Sequence, residues 1–262
     1  MSYTVGDVVR AMDGLFPPSA KEEWDAVGLV AGDMDAPCKR VAFAVDPCEA
    51  SVSEAIEREA DMLITHHPLY LRGTHSVATT TAKGRWTSAL IRNNVALFSA
   101  HTNAGVFGST HALAQLLDIT IDRPLDENTG IGGVGRLAQP LTLREFGQRV
   151  HDALPATQAG VLVGGDLDCE VHTVAICSGA GDSFLVAANE AGADVYLTAD
   201  LRHHPATDHL WNDGCALVCP THWASEFPLL AVMRERLVEK LPELDTYISE
   251  IPTDAWALAL RG

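Results

Sequence analysis

The residues of this chain best suited to chemistry are histidines and carboxylates that follow short apolar, β-branched runs. His66 and His67 come directly after Ile64 and Thr65, His101 comes after Phe98 and Ser99, Asp200 follows Leu197 and Thr198, and His222 follows Val218 and Cys219. In open α/β sheets, ligands bind beyond the carboxyl ends of the strands, where loops gather side chains on a rigid base. Adjacent histidines on an extended segment point in opposite directions, so His66 and His67 suit one ion each of a neighbouring pair. Pro68 fixes the turn that follows and biases His67 away from helix. His222 and Glu226 form H-x-x-x-E, a spacing that puts an imidazole and a carboxylate on one face of a first helical turn. A carboxylate can bridge two cations, and imidazole suits zinc, iron, cobalt or nickel. His66, His67, His101, His222 and Glu226 are therefore the candidate metal ligands.

The other histidines, His75, His111, His151, His172, His203, His204 and His209, read as surface or hydrogen-bonded residues. Tyr196, Trp211 and Trp223 lie in apolar patterns and read as core rather than as groups that stack on a substrate.

These residues need strands and helices to hold them. Apolar runs at 41–45, 61–65, 94–99, 161–163, 173–177, 194–198 and 215–219 predict strands. Helical spacing at 51–60, 86–93, 111–117, 183–191 and 229–240 predicts the intervening helices. Thr142 and Glu145 form an S/T-x-x-E capping box opening a helix to Ala153. Strand and helix alternate, which predicts a largely parallel or mixed α/β sheet. The pattern nearly repeats: VAFAVDPCEASVSEAIEREADMLITHHP from Val41 has a counterpart in VAICSGAGDSFLVAANEAGADVYLTADLRHHP from Val174. Each is followed by another strand ending at a histidine. The expected architecture is two related α/β lobes with a metal-binding cleft between them: residues 1–128, joined by 227–262, and residues 129–226. The glycine-rich stretch 126–135 reads as the crossing between lobes, and 246–251 as an edge strand of either.

The chain has 262 residues, 47% of them hydrophobic, enough for a substantial core. Its six cysteines include no C-x-x-C pair and read as reduced thiols. The start of the chain lacks a basic, uninterrupted apolar leader and no later run is long enough to cross a bilayer, so a cytoplasmic location is expected. A formal net charge of −17 argues against nucleic acid or an anionic membrane as partner and favours cations, although surplus acid is also an ordinary solubilising surface.

Seven segments together resemble a known family. They are EEWDAVGLVAGD at 22–33, ADMLITHHPLY at 60–70, SAHTN at 99–103, GVGRL at 133–137, CSGAGDSF at 177–184, ADVYLTADLRHH at 193–204 and THWASE at 221–226. In this order they resemble the Nif-three-like dinuclear metal-centre proteins, also called GTP cyclohydrolase I type-two homologues. The resemblance implies a homohexameric ring of two-domain subunits with paired metal ions, and GTP ring-opening or metal-dependent hydrolysis as the suggested activity. It matches His66, His67, His222 and Glu226 to metal ligands and places His101 close to the ions. The family pattern has an aspartate ligand two residues after the Asn of H-T-N, where this chain has Gly105. His101, His111 or a water could supply the missing ligand, and one or two divalent ions per subunit, zinc or iron, are expected.

The expected function is a metal-dependent hydrolase acting on a small molecule such as a phosphoester or purine nucleotide, with Asp200 or His101 as candidate base. GIGGVGR is not followed by a helix of the phosphate-binding type, so its glycines read as linker. The alternative is a non-catalytic metal-binding ring scaffold or regulator.

Overall fold

The computed structural model describes residues 3–260; residues 1–2 and 261–262, at the ends of the expected lobes, lie outside it. The chain divides into two compact units: residues 3–107 with Leu230–Thr253, and Gly108–Leu229 with residues 254–260.

The first unit contains β1 (Tyr3–Thr4), α1 (Val5–Leu15), β2 (Gly28–Ala31), β3 (Pro37–Cys38), β4 (Arg40–Ala44), α2 (Glu49–Glu57), β5 (Met62–Thr65), α3 (Ala82–Arg92), β6 (Ala96–Ser99) and α4 (Thr102–Ala104). α1 opens on a capping box between Thr4 and Asp7, and Thr81 caps α3 by accepting from Gly84 N. Strands β4, β5 and β6 pair in parallel, β2 closes one edge antiparallel, and β13 (Asp245–Ile248) pairs in parallel with β4 at the other. Met62–Thr65 and Ala96–Ser99 are buried throughout, as parallel strands covered on both faces must be. Ala42, Leu63 and Leu97 pack with Val52, Ala55 and Leu90 of the helices. This packing fixes the strand ends from which His66, His67 and His101 emerge.

The second unit contains α5 (Thr110–Leu116), β7 (Ile119–Arg123), β8 (Gly133–Thr142), α6 (Leu143–Ala153), β9 (Leu162–Gly164), β10 (Glu170–Ala180), α7 (Leu185–Glu190), β11 (Val195–Ala199), α8 (His203–Trp211) and β12 (Ala216–Cys219). Its sheet runs β7-β8-β10-β11-β12-β9, with β10, β11 and β12 parallel. Ala175, Cys177, Tyr196 and Leu217 form its core with Leu185 and Ala188. α9 (His222–Lys240) begins in this unit, and its later residues Leu230, Met233 and Leu237 are buried at helical spacing.

Several expectations shift. The first unit ends at Phe107 rather than 128, because β7 pairs antiparallel with β8 and draws the intervening chain into the second sheet. The glycine-rich stretch is not all crossing: Gly133 and Gly135 lie inside β8, where Gly135 opposes Val174 of β10. α9 starts seven residues before 229 and carries Pro228 inside it. The second His-His-Pro is no counterpart of the first. Three more residues separate it from its strand, so Asp200 takes the place after β11 while His203 and His204 begin α8, exposed. Tyr196 and Trp223 are core at 0% and 3% exposure, but Trp211 is 76% exposed at the end of α8. Among the described residues, no helix is long and apolar enough to cross a membrane.

Candidate metal centre

In the first unit, the ends of β5 and β6 lie side by side, with Thr65 paired to Ser99, so the residues just beyond them converge. The rings of His66, His67 and His101 lie 5.1 to 5.4 Å apart, centroid to centroid. One nitrogen from each falls within 4.8 Å of the other two. His66 is 3% exposed, and the side chains of His67 and His101 are 22% and 17% exposed.

The second nitrogen of each ring is already committed. Nδ1 of His66 lies 3.0 Å from the main-chain oxygen of Ala100, Nδ1 of His67 lies 2.7 Å from Asp46, and Nδ1 of His101 lies 2.8 Å from Asp25. A carbonyl or an ionised carboxylate can only accept, so each Nδ1 carries the proton and donates it. In the neutral ring that leaves Nε2 with its lone pair, the form in which imidazole ligates a metal, and a carboxylate behind the ring raises its basicity.

These acceptors are themselves held. The Asp25 carboxylate is fully buried and takes three further hydrogen bonds, from Thr102 N at 3.0 Å, Thr102 Oγ1 at 2.5 Å and Ala26 N at 2.7 Å. Burial opposes its ionisation, yet the bonds from Thr102 and His101 outweigh it and hold its pKa below the usual carboxylate value. Asp46 accepts a short hydrogen bond from Thr253 Oγ1 as well as that of His67. For His101, burial is the main influence and repulsion from His66 adds to it; together they hold its pKa below 6.5 against the pull of Asp25.

The second unit repeats the device. His222 opens α9, and its Nδ1 lies 2.7 Å from the carboxylate of Asp200, the residue after β11. Its Nε2 lies 3.1 Å from Glu226 Oε1, one turn along the helix. Two donors of one tetrahedral ion at about 2.1 Å stand roughly 3.4 Å apart, so this spacing suits a shared metal. Glu226 is 6% exposed. The segment after β10's core stretch braces the pair: Gly179 N donates to Ser225 Oγ, which donates to the main-chain oxygen of His222, while Thr198 Oγ1 donates to Gly179 O. Gly179 has φ 69°, and a Cβ there would stand 2.4 Å from Glu226 Oε1 and 3.3 Å from His222 Nε2.

All five predicted ligands thus lie at strand ends or on the first turn of α9, in two sets. Asp200, a candidate base in the sequence, is instead bonded to His222. Asp25 and Asp46 were not singled out from the sequence, although Asp46 directly follows an apolar strand run and Asp25 sits in a segment already picked out as a motif. Gly105 stands at φ −57° where α4 passes into a short π-helical segment, Gly105–Ser109, and a Cβ there would meet nothing within 4 Å. No carboxylate comes from that position. His111 is exposed on α5 in the second unit.

Known proteins share this arrangement of chain. A GTP cyclohydrolase 1 type 2 homolog of Streptomyces coelicolor is 43% identical, covering 96% of this chain and 93% of the relative. One of Mycobacterium bovis is 31% identical over 98% of both. The crystal structure of a Bacillus cereus protein related to NIF3 superposes with a TM-score of 0.88 over 99% of this chain and all of that one, at 21% identity, a likeness of fold. With the family profile matching residues 3–255 as well, this chain belongs to the Duf34/NIF3 (NGG1p interacting factor 3) family.

Proposed function

We propose that this protein binds divalent metal ions through His66, His67 and His101 in one unit and His222 and Glu226 in the other, and uses them to hydrolyse a small molecule. The observation that carries the reading is the uniform state of the four imidazoles. Each has Nδ1 bonded to an oxygen acceptor, three of them carboxylates, which fixes the ring and directs Nε2 as the ligand atom. An exposed histidine can have such backing too, as His151 does from Asp152 at 2.9 Å, so the reading rests on the backing together with the gathering of the rings. The donor set of imidazoles and one carboxylate suits zinc or iron, at one or two ions per subunit.

Bound divalent ions supply Lewis-acid polarisation of a substrate and lower the pKa of water towards about 7. The chain's own contribution is orientation. Asp25, Asp46 and Asp200 hold the rings and keep Nδ1 protonated, and Gly179 leaves room for the Glu226 carboxylate. The relatives are named as homologues of a GTP cyclohydrolase, which supports a purine nucleotide as substrate class. Six free thiols are consistent with a cytoplasmic protein, and the family resemblance supports a homohexamer.

The test is turnover. Tag-free protein assayed on a panel of nucleotides and phosphoesters should hydrolyse at least one, lose the activity to a chelator, and lose it in His222→Ala with metal at other positions retained. A second reading, a metal-binding scaffold without turnover, is favoured by one observation: the first-unit set is all imidazole, with Gly105 where a carboxylate could stand. Under that reading His222→Ala lowers thermal stability of the loaded protein and no substrate is turned over.

A further inference from the structure

Trp24 is 58% exposed, although a tryptophan offers about 150–250 Å² of surface that folding normally buries. Loose backbone does not explain it. The turn that carries Trp24 is closed by Asp25 N donating to Glu22 O at 3.0 Å, and Lys21 Nζ donates to Asp25 O at 2.7 Å. Glu22 N donates to Thr102 Oγ1 at 3.0 Å, and the buried Asp25 carboxylate ties the turn's other end to Thr102 and His101. The backbone that carries the indole is therefore fixed, while more than half of the residue stays in water.

The indole lies beside one candidate ligand, His101. The indole and the His101 ring meet edge to face, 5.8 Å between centroids at 76°. Trp211 and Trp256 are also exposed, at 76% and 68%, but among the described residues neither ring meets that of a candidate ligand. The Asp25 carboxylate that anchors the backbone beside Trp24 is the same group that orients His101.

We propose that Trp24 is a stacking platform for a flat heteroaromatic ring, carried by a small molecule whose polar end reaches the His66–His67–His101 set. This deepens the metal-binding reading and rests on it for the polar end alone. A rigid indole loses little conformational freedom when a ring stacks on it, and every nucleobase-like ring presents a suitable face. The platform thus selects for planarity rather than for one base.

The experiment compares adenosine 5′-monophosphate with methyl β-D-ribofuranoside 5-phosphate, in which a methoxy group stands in place of the base; both are titrated calorimetrically into tag-free, zinc-loaded protein, with metal content measured on each preparation. The wild type should bind the nucleotide at least about fivefold more tightly. Trp24→Ala should bring the nucleotide down to the level of the methyl riboside phosphate without changing the latter, Trp24→Phe should keep most of the preference, and Trp211→Ala all of it. Equal affinity of the wild type for the two probes, including no binding of either, overturns the proposal, as does a preference that survives Trp24→Ala. A preparation that holds no ion yet prefers the nucleotide through Trp24 contradicts the metal reading and leaves the platform standing.

Discussion

Asp200 holds His222 by a 2.7 Å hydrogen bond to Nδ1 while standing in left-handed backbone at φ 56°. Aspartate tolerates that conformation better than most residues, yet it is still disfavoured for a side chain that has no use there. Glycine adopts it freely, so Asp200→Gly removes the carboxylate without adding strain. We expect the variant to fold with little change in Tm and to bind zinc about 10- to 100-fold more weakly, as loss of an outer carboxylate on a ligating histidine does. Competition titration against a chromophoric chelator reads the change.

Gly179 should be intolerant of even one methyl group. In Gly179→Ala the new Cβ meets Glu226 Oε1 at 2.4 Å, and the φ of 69° is itself unfavourable for alanine by about 1–2 kcal/mol. The carboxylate must swing away from His222, so metal content should fall along with stability. Thermal unfolding of metal-free and loaded protein separates the effects: the backbone cost appears in both, the lost ligand only in the second.

Gly105 presents the opposite case. Its φ of −57° suits any residue and nothing lies within 4 Å of a Cβ placed there. Gly105→Asp should therefore fold normally, with stability within about 1 kcal/mol of the wild type. The added carboxylate, four residues on from His101 and one turn away, should raise the number or affinity of bound ions. Mass spectrometry for metal content checks it.

The buried imidazole of His101 sets a pH dependence. Its pKa in the folded, metal-free protein lies below the ordinary 6.5, chiefly from burial and then from His66. As pH falls through about 6.5 the unfolded chain takes up a proton that the folded one does not, so this group's share of stability is intact above that pH and is lost below it. Chelator-treated wild type should therefore be less stable to denaturant at pH 5.5 than at pH 7.5. His101→Gln, which can keep the bond to Asp25, should show a smaller difference.

Much of the site was legible in the sequence because its ligands sit where strand patterns end. Ile64–Thr65 and Phe98–Ser99 are short, wholly buried runs, and the residues just after them could only be where β5 and β6 deliver them. The orienting aspartates were harder to see. Asp25 meets His101 across 76 residues of sequence, a separation that no local pattern reports. The second His-His-Pro misleads because composition repeats while register does not: Asp200, Leu201 and Arg202 follow β11 and carry those histidines into α8. The division at Phe107 rather than 128 is hidden for a similar reason, since β7 finds its partner in β8 through backbone pairing that the glycines of 130–135 disguise as linker.

The most direct test is metal content per subunit, by inductively coupled plasma mass spectrometry on tag-free wild type alongside a His66→Ala/His67→Ala pair and His222→Ala. The account predicts one or two zinc or iron ions per wild-type subunit, with fewer in both variants while each remains folded by circular dichroism. Wild-type protein that holds no divalent ion, even after incubation with zinc or iron, or variants that keep the full complement, would contradict it.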